Sequence, residues 1–219
     1  MTNDRVATFE HVLALEPART ALLVVDMQRG FLDPGEPMEV PPARACVPVI
    51  SGLLDVFRAR RLAVAFTAFV YSPDVPLLVG ELHPEHKPAT AGATRGFGLP
   101  SSSCQAGSRS ARIVDALAPQ PGEPVIDKRW YDGFAGSPLD GVLRARDVRS
   151  LVVTGTMSDI CVLATVIGAF NREYRVTVVK DAVATLWPEI QRATLDIVAR
   201  AYGRVVSSKQ VIDTVSAWT

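Results

Sequence analysis

Six stretches of this chain are apolar and β-branched without a helical period: TALLVV (20–25), LAVAFTAFV (62–70), PVI (124–126), SLVV (150–153), YRVTVVKD (174–181) and RVVSS (204–208). Near-continuous apolar runs of this length predict strands buried on both faces rather than half-exposed ones. Between them lie segments with helical spacing, at 43–60, 107–117, 137–146, 159–172 and 188–201. Strands alternating with helices of ten or more residues predict βαβ units. The fold class is therefore α/β: a doubly wound, about six-stranded, mostly parallel sheet flanked by helices on both faces. The longest irregular stretch, 71–106, is rich in Pro, Gly and Ser, and a loop of that length in a compact domain is usually functional. No internal repeat or linker divides the chain. Residues 1–17 read as an N-terminal extension and 18–219 as one domain.

Composition narrows the function classes. Lys plus Arg and Asp plus Glu are equal, 23 each, and no run of basic residues forms a patch, so neither nucleic acid nor an anionic membrane is an expected partner. No uninterrupted apolar stretch approaches the roughly 18 residues of a membrane span. The N-terminus carries acids and no long apolar core, which does not fit a secretory signal. Three widely spaced cysteines, Cys46, Cys104 and Cys161, do not suggest a disulfide framework, and a reducing cytoplasm is the expected compartment.

In open parallel sheets, ligands bind beyond the carboxyl ends of the strands. Those ends present Asp26, Lys128 and the loop TGTMSDICV (154–162) leading to Cys161. A thiol near a helix N-terminus meets the positive end of the helix dipole and unpaired N–H groups, which favour thiolate and can hold an oxyanion. Asp26 can take a thiol proton and later activate water. Each residue also has a plain role: Cys161 as a small buried hydrophobe, Asp26 as a turn cap, Lys128 as a rim charge. From position alone both sets of roles stay open. The three histidines, His11, His83 and His86, lie at no strand end, which makes a Cys–His pair a weaker arrangement than Asp–Lys–Cys.

The residues also carry a resemblance. LLVVDMQRGFLDPG (22–35), IDKRWYDGFAGSPLDGVLRARDVRSLVVTG (126–155) and TGTMSDICV (154–162), with KDAVAT (180–185) as a weaker fourth block, resemble the isochorismatase-like cysteine hydrolases. That family includes nicotinamidases, N-carbamoylsarcosine amidohydrolase, and ureidoacrylate and biuret hydrolases. The resemblance implies a catalytic triad of Asp26, Lys128 and Cys161. It implies a cis peptide between Thr156 and Met157, with the N–H groups of Met157 and Cys161 forming the oxyanion site. It places Phe31, Tyr131 and Thr156 at the substrate pocket. Arg95 and Arg129 are candidates to hold a substrate carboxylate, with surface solvation as the plainer role. Pocket walls are expected from 71–106, 129–134 and 185–192.

Two departures sharpen the expectation. Metal-binding nicotinamidases carry Asp-x-His after the second strand, where this chain reads TAFVYSP (67–73). Isochorismatases that cleave a vinyl ether lack the cysteine. The implied activity is cysteine-dependent C–N hydrolysis of a small amide or carbamoyl (ureido) compound through a thioester, with no metal or organic cofactor required. The alternatives are a non-catalytic ligand- or partner-binding member of the fold, and ether hydrolysis, which Cys161 disfavours. Family members imply a homodimer or homotetramer, with the N-terminal extension as a possible assembly arm.

Overall fold

A computed structural model describes residues 14–70 and 103–218. His11, His83, His86 and Arg95 lie outside the described residues, as does most of the 71–106 stretch.

Six parallel strands form one sheet in the order β3-β2-β1-β4-β5-β6: β1 Thr20–Val25, β2 Ala63–Phe69, β3 Val125–Lys128, β4 Ser150–Thr156, β5 Arg175–Ala184 and β6 Gly203–Val206. All six residues of β1 are buried, because helices cover both faces. Alternate residues of that strand enter different cores. Leu22 and Val24 pack beneath α2 (Cys46–Ala59) and α6 (Ser208–Ser216). Ala21, Leu23 and Val25 join the opposite layer of α3 (Leu139–Arg144), α4 (Leu163–Phe170) and α5 (Pro188–Ala201). This two-sided burial is why β1 and β4 read as unbroken apolar runs. The short α1 (Arg29–Leu32) follows β1 directly.

The strand order reverses between β1 and β4. Strands on one side run outward as β1, β2, β3, and on the other as β4, β5, β6. Such a switch point opens a crevice at the carboxyl ends, where ligands bind in this architecture. One glycine lets the two central strands close up there. Gly155 has φ 115° and pairs with Val25 across β1/β4; a Cβ on it would collide with the Val25 carbonyl oxygen.

Two sequence expectations need correction. Segment 107–117 is not a helix. It is irregular, with a single 3-10 turn at Asp115–Leu117 and one bridge from Ile113 to Gln28. Its serines bond locally instead: Ser110 Oγ accepts from the Cys104 N–H at 2.8 Å and Ser108 Oγ from the Ala111 N–H at 3.3 Å. Serine hydroxyls that satisfy nearby backbone compete with helix formation. The sixth strand also ends earlier than 208, because Ser207 caps α6 in a reciprocal capping box with Gln210. The two serines belong to a helix start, and the helix at 208–216 went unread in the sequence.

Candidate active site

The candidate residues sit at the carboxyl ends of three strands, and their reach matches their places in the sheet. Asp26 follows β1 immediately, at φ 51°, a left-handed conformation that turns the chain out of the sheet. Lys128 ends β3, two strands away, a span of about 10 Å at the usual strand spacing. A long side chain is needed to cross β2, and Lys128 supplies it. Its Nζ lies 2.7 Å from Asp26 Oδ2, with neither side chain exposed at all. On the way it passes Phe69, its register partner on β2, with Nζ 5.3 Å from the ring centroid. The Trp130 carbonyl accepts a further hydrogen bond from Nζ at 3.1 Å.

The strand between them contributes a residue that sequence reasoning missed. Thr67 on β2 donates from Oγ1 to Asp26 Oδ1 at 2.7 Å, and the Thr67 carbonyl accepts from the Asp26 N–H at 3.1 Å. Its only signal in the sequence is a lone polar residue within AVAFTAF. That signal gains meaning only once Thr67 is paired beside Val25, the residue before the aspartate. Gln28 was missed as well. Fully buried, its side-chain amide takes the Phe69 N–H at 2.7 Å and donates to the carbonyls of Phe69 and Ala111, both at 2.9 Å. It thereby continues the β1–β2 ladder after the β1 backbone has turned away.

Cys161 lies in the turn that follows β4. The Thr156–Met157 peptide is cis, as the resemblance implied. Residues Ser158–Val162 then form one π-helical turn, closed by the Val162 N–H donating to the Met157 carbonyl at 3.0 Å, before α4 begins. The predicted helix from 159 is thus a π turn followed by α4. Ser158 Oγ donates to Gln191 Oε1 at 2.5 Å, and Gln191 Nε2 donates to the Val183 carbonyl at 2.8 Å, which ties the turn to α5 and β5.

The Cys161 thiol is within hydrogen-bonding reach of both Asp26 and Lys128. Burial pushes its pKa well above the ordinary thiol value; Lys128 opposes that rise and Asp26 adds to it. For Lys128, burial works to lower the pKa, but Asp26 and then Cys161 outweigh it, and the ammonium is held above the usual lysine value. Burial and Asp26 thus favour the thiol form of Cys161, and Lys128 opposes them. The position of Lys128 does lower the thiol pKa, as expected from the sequence, but burial and Asp26 dominate. The other two thiols are buried too: burial pushes Cys104 up to about 12 and Cys46 up to about 11.

Among the described residues, Phe31, Met38, Phe69, Tyr131, Met157, Ile160 and Cys161 line a small apolar cavity at the sulfur. Phe31 and Tyr131 are there, as the resemblance implied. Tyr131 and Phe69 stack with centroids 6.5 Å apart. Thr156 is not among the lining residues: it is the last residue of β4, fully buried, and its hydroxyl donates to the Ala184 carbonyl at 3.3 Å. Arg129 is exposed.

A doubly wound parallel sheet that brings a carboxylate, an ammonium and a thiol to one crevice is the architecture of a cysteine hydrolase. The chain belongs to the isochorismatase-domain family, whose model matches residues 20–210. It is 31% identical over 212 residues to the ureidoacrylate amidohydrolase RutB of Rhizobium rhizogenes, covering 93% of this chain and 86% of that one. It is 33% identical over 202 residues to RutB of Methylobacterium radiotolerans, covering 88% and 78%. Among solved structures it is similar to a cysteine hydrolase from Pseudomonas syringae pv. phaseolicola, with TM-score 0.81 and 28% identity, covering 93% of this chain and 95% of that one. It is also similar to N-carbamoylsarcosine amidase from Thermoplasma acidophilum, with TM-score 0.67 and 29% identity, covering 87% and 96%.

Proposed function

We propose that this protein is a Cys161-dependent amidohydrolase of a small carbamoyl or ureido compound. One observation carries the reading: Asp26 after β1 and Lys128 at the end of β3, 2.7 Å apart and fully buried, both reach the Cys161 thiol. The names of its relatives, ureidoacrylate amidohydrolase and N-carbamoylsarcosine amidase, support the carbamoyl class.

In this mechanism Asp26 accepts the thiol proton as the sulfur attacks the carbonyl carbon. The N–H groups of Met157 and Cys161 stabilise the tetrahedral oxyanion. Asp26 then passes the proton to the leaving nitrogen, which departs as ammonia or amine and leaves a thioester on Cys161. Water deprotonated by Asp26 hydrolyses that thioester and returns the thiol. Lys128 keeps Asp26 ionised and compensates the charge that develops on sulfur. The raised thiol pKa fits this order, since the proton leaves the sulfur only as attack proceeds. Phe31 and Tyr131 form the pocket wall beside the reacting carbon.

Domain extent and assembly belong to the same reading: one catalytic domain over 18–219, the extension 1–17 as an assembly arm, and a cytoplasmic homodimer or homotetramer. Three unpaired thiols support a reducing compartment. No helix among the described residues is long and apolar enough to cross a membrane.

The test is ammonia release from a panel of carbamoyl, ureido and simple amides by the wild type and Cys161→Ala. Loss of turnover to background in the variant is expected. Undiminished turnover on the best substrate would overturn the cysteine mechanism.

A further inference from the structure

We propose that Thr67 is a positioning residue for the reaction: it occupies Asp26 Oδ1 and leaves Oδ2 as the oxygen that exchanges the proton with Cys161. The inference rests on the amidohydrolase reading of the site and assigns a role to a residue on β2, which lies between β1 and β3 and carries no member of the triad.

A carboxylate that serves as both acceptor and donor of a proton needs one oxygen held and one oxygen in play. Asp26 is fully buried, so water cannot hold either of them. The Thr67 hydroxyl donates to Oδ1 at 2.7 Å, and Lys128 Nζ lies 2.7 Å from Oδ2. The groups facing the carboxylate are Thr67 from β2, Lys128 from β3, Cys161 from the turn after β4, and Cys104 from the segment that packs beside α1. Of these, Lys128 is the only cation, and among the described residues it is Thr67 that hydrogen-bonds Oδ1.

Thr67 is built to be rigid. It is fully buried, β-branched and therefore stiff at χ1, and its backbone is tied to Asp26 through the Asp26 N–H. The same residue thus fixes the backbone of the catalytic aspartate and one of its oxygens. A hydrogen bond donated to the ionised carboxylate favours the form able to accept the thiol proton. Without it, the carboxylate plane would be free to rotate away from the sulfur.

The test compares wild type, Thr67→Val and Thr67→Ser. Valine keeps nearly the same shape and removes the hydroxyl; serine keeps it. On the best amide substrate, Thr67→Val is expected to lower kcat about tenfold with KM nearly unchanged. Thr67→Ser is expected to restore the wild-type kcat. Far-UV circular dichroism checks folding, and Thr67→Ala replaces the valine variant if that one does not fold. A second readout does not need turnover: carboxyl carbon NMR of aspartate-labelled protein, with Asp26 assigned by its loss in Asp26→Asn. Its carboxyl carbon shift should move in Thr67→Val, which lacks the hydrogen bond, and return in Thr67→Ser. A valine variant with wild-type kcat and carboxyl shift, or a serine variant that behaves like valine, would overturn the role of Thr67. Activity that survives Cys161→Ala would instead overturn the amidohydrolase mechanism, and the NMR comparison would still decide the hydrogen bond.

Discussion

Removing the Lys128 charge while Asp26 remains should cost more stability than removing both charges together. The pair is 2.7 Å apart and neither side chain is exposed, so Lys128→Met strands an ionised carboxylate that keeps neutral donors, the Thr67 hydroxyl and the Cys161 thiol, in place of the ammonium. Breaking a fully buried pair from one side costs about 3–5 kcal/mol, most of it the penalty of the uncompensated charge. With an unfolding entropy of about 0.5 kcal/mol/K for a chain of this length, that lowers Tm by about 6–10 °C. Adding Asp26→Asn removes the stranded charge. Asparagine tolerates the left-handed conformation at φ 51°, and its carboxamide oxygen can still accept from Thr67. The double variant should therefore recover all but about 1 kcal/mol of the loss, while turnover stays at background. Urea unfolding followed by circular dichroism and by tryptophan fluorescence gives both numbers, provided the two probes coincide. A Lys128→Met loss below about 1 kcal/mol, or a double variant as unstable as the sum of the singles, would refute the coupling of the two charges.

Three further outcomes follow. Gly155→Ala should yield little folded protein, because the new methyl meets the Val25 carbonyl and φ 115° is strained for alanine; soluble expression and Tm report it, and wild-type Tm would refute it. Because the Cys161 pKa is raised by burial and by Asp26, iodoacetamide should alkylate the native protein near neutral pH more slowly than free cysteine, with the rate still climbing at alkaline pH; a rate that has levelled off by neutral pH would show a resting thiolate. Lys128 has a folded-state pKa above its usual value of 10.5, so its contribution to stability is complete below that pH and fades only as pH rises through the folded-state pKa; urea midpoints of wild type and Lys128→Met should converge in strong alkali and stay apart at neutral pH.

What the sequence exposes here depends on whether the physical cause is local. β1, β4 and the thiol-bearing turn are legible because two-sided burial leaves unbroken apolar runs that stop at Asp26 and at Thr154-Gly155. The triad candidates follow from those strand ends, and the block resemblance adds the cis peptide. Thr67 and Gln28 are not legible in the same way. Each acts across 41 positions of sequence, on Asp26 and on Phe69, and only strand pairing brings the partners together. The false helix at 107–117 has helical spacing, but its serines satisfy backbone groups locally. The missed helix at 208–216 turns on Ser207, which ends one element and caps the next. The upward shift of the Cys161 thiol pKa is also out of reach of the sequence, since a helix start and a lysine favour thiolate and it is burial, with Asp26, that works against them.

The central position of β1 and β4 has a consequence for how this molecule tolerates motion. Both strands are hydrogen-bonded on each side, and they carry Asp26 and lead into the turn that holds Cys161. Their amides should exchange with solvent only through the largest openings of the molecule, as the most deeply protected strands of a domain generally do. The aspartate and the sulfur then cannot drift apart by local fraying. In the mechanism we propose, adjustment to different substrates falls instead to side chains carried outside those two strands, such as Phe31, Met38 and Tyr131. On that reading the reacting atoms and the selective surface are divided between slow and fast parts of one fold, so substrate preference can diversify without disturbing the chemistry.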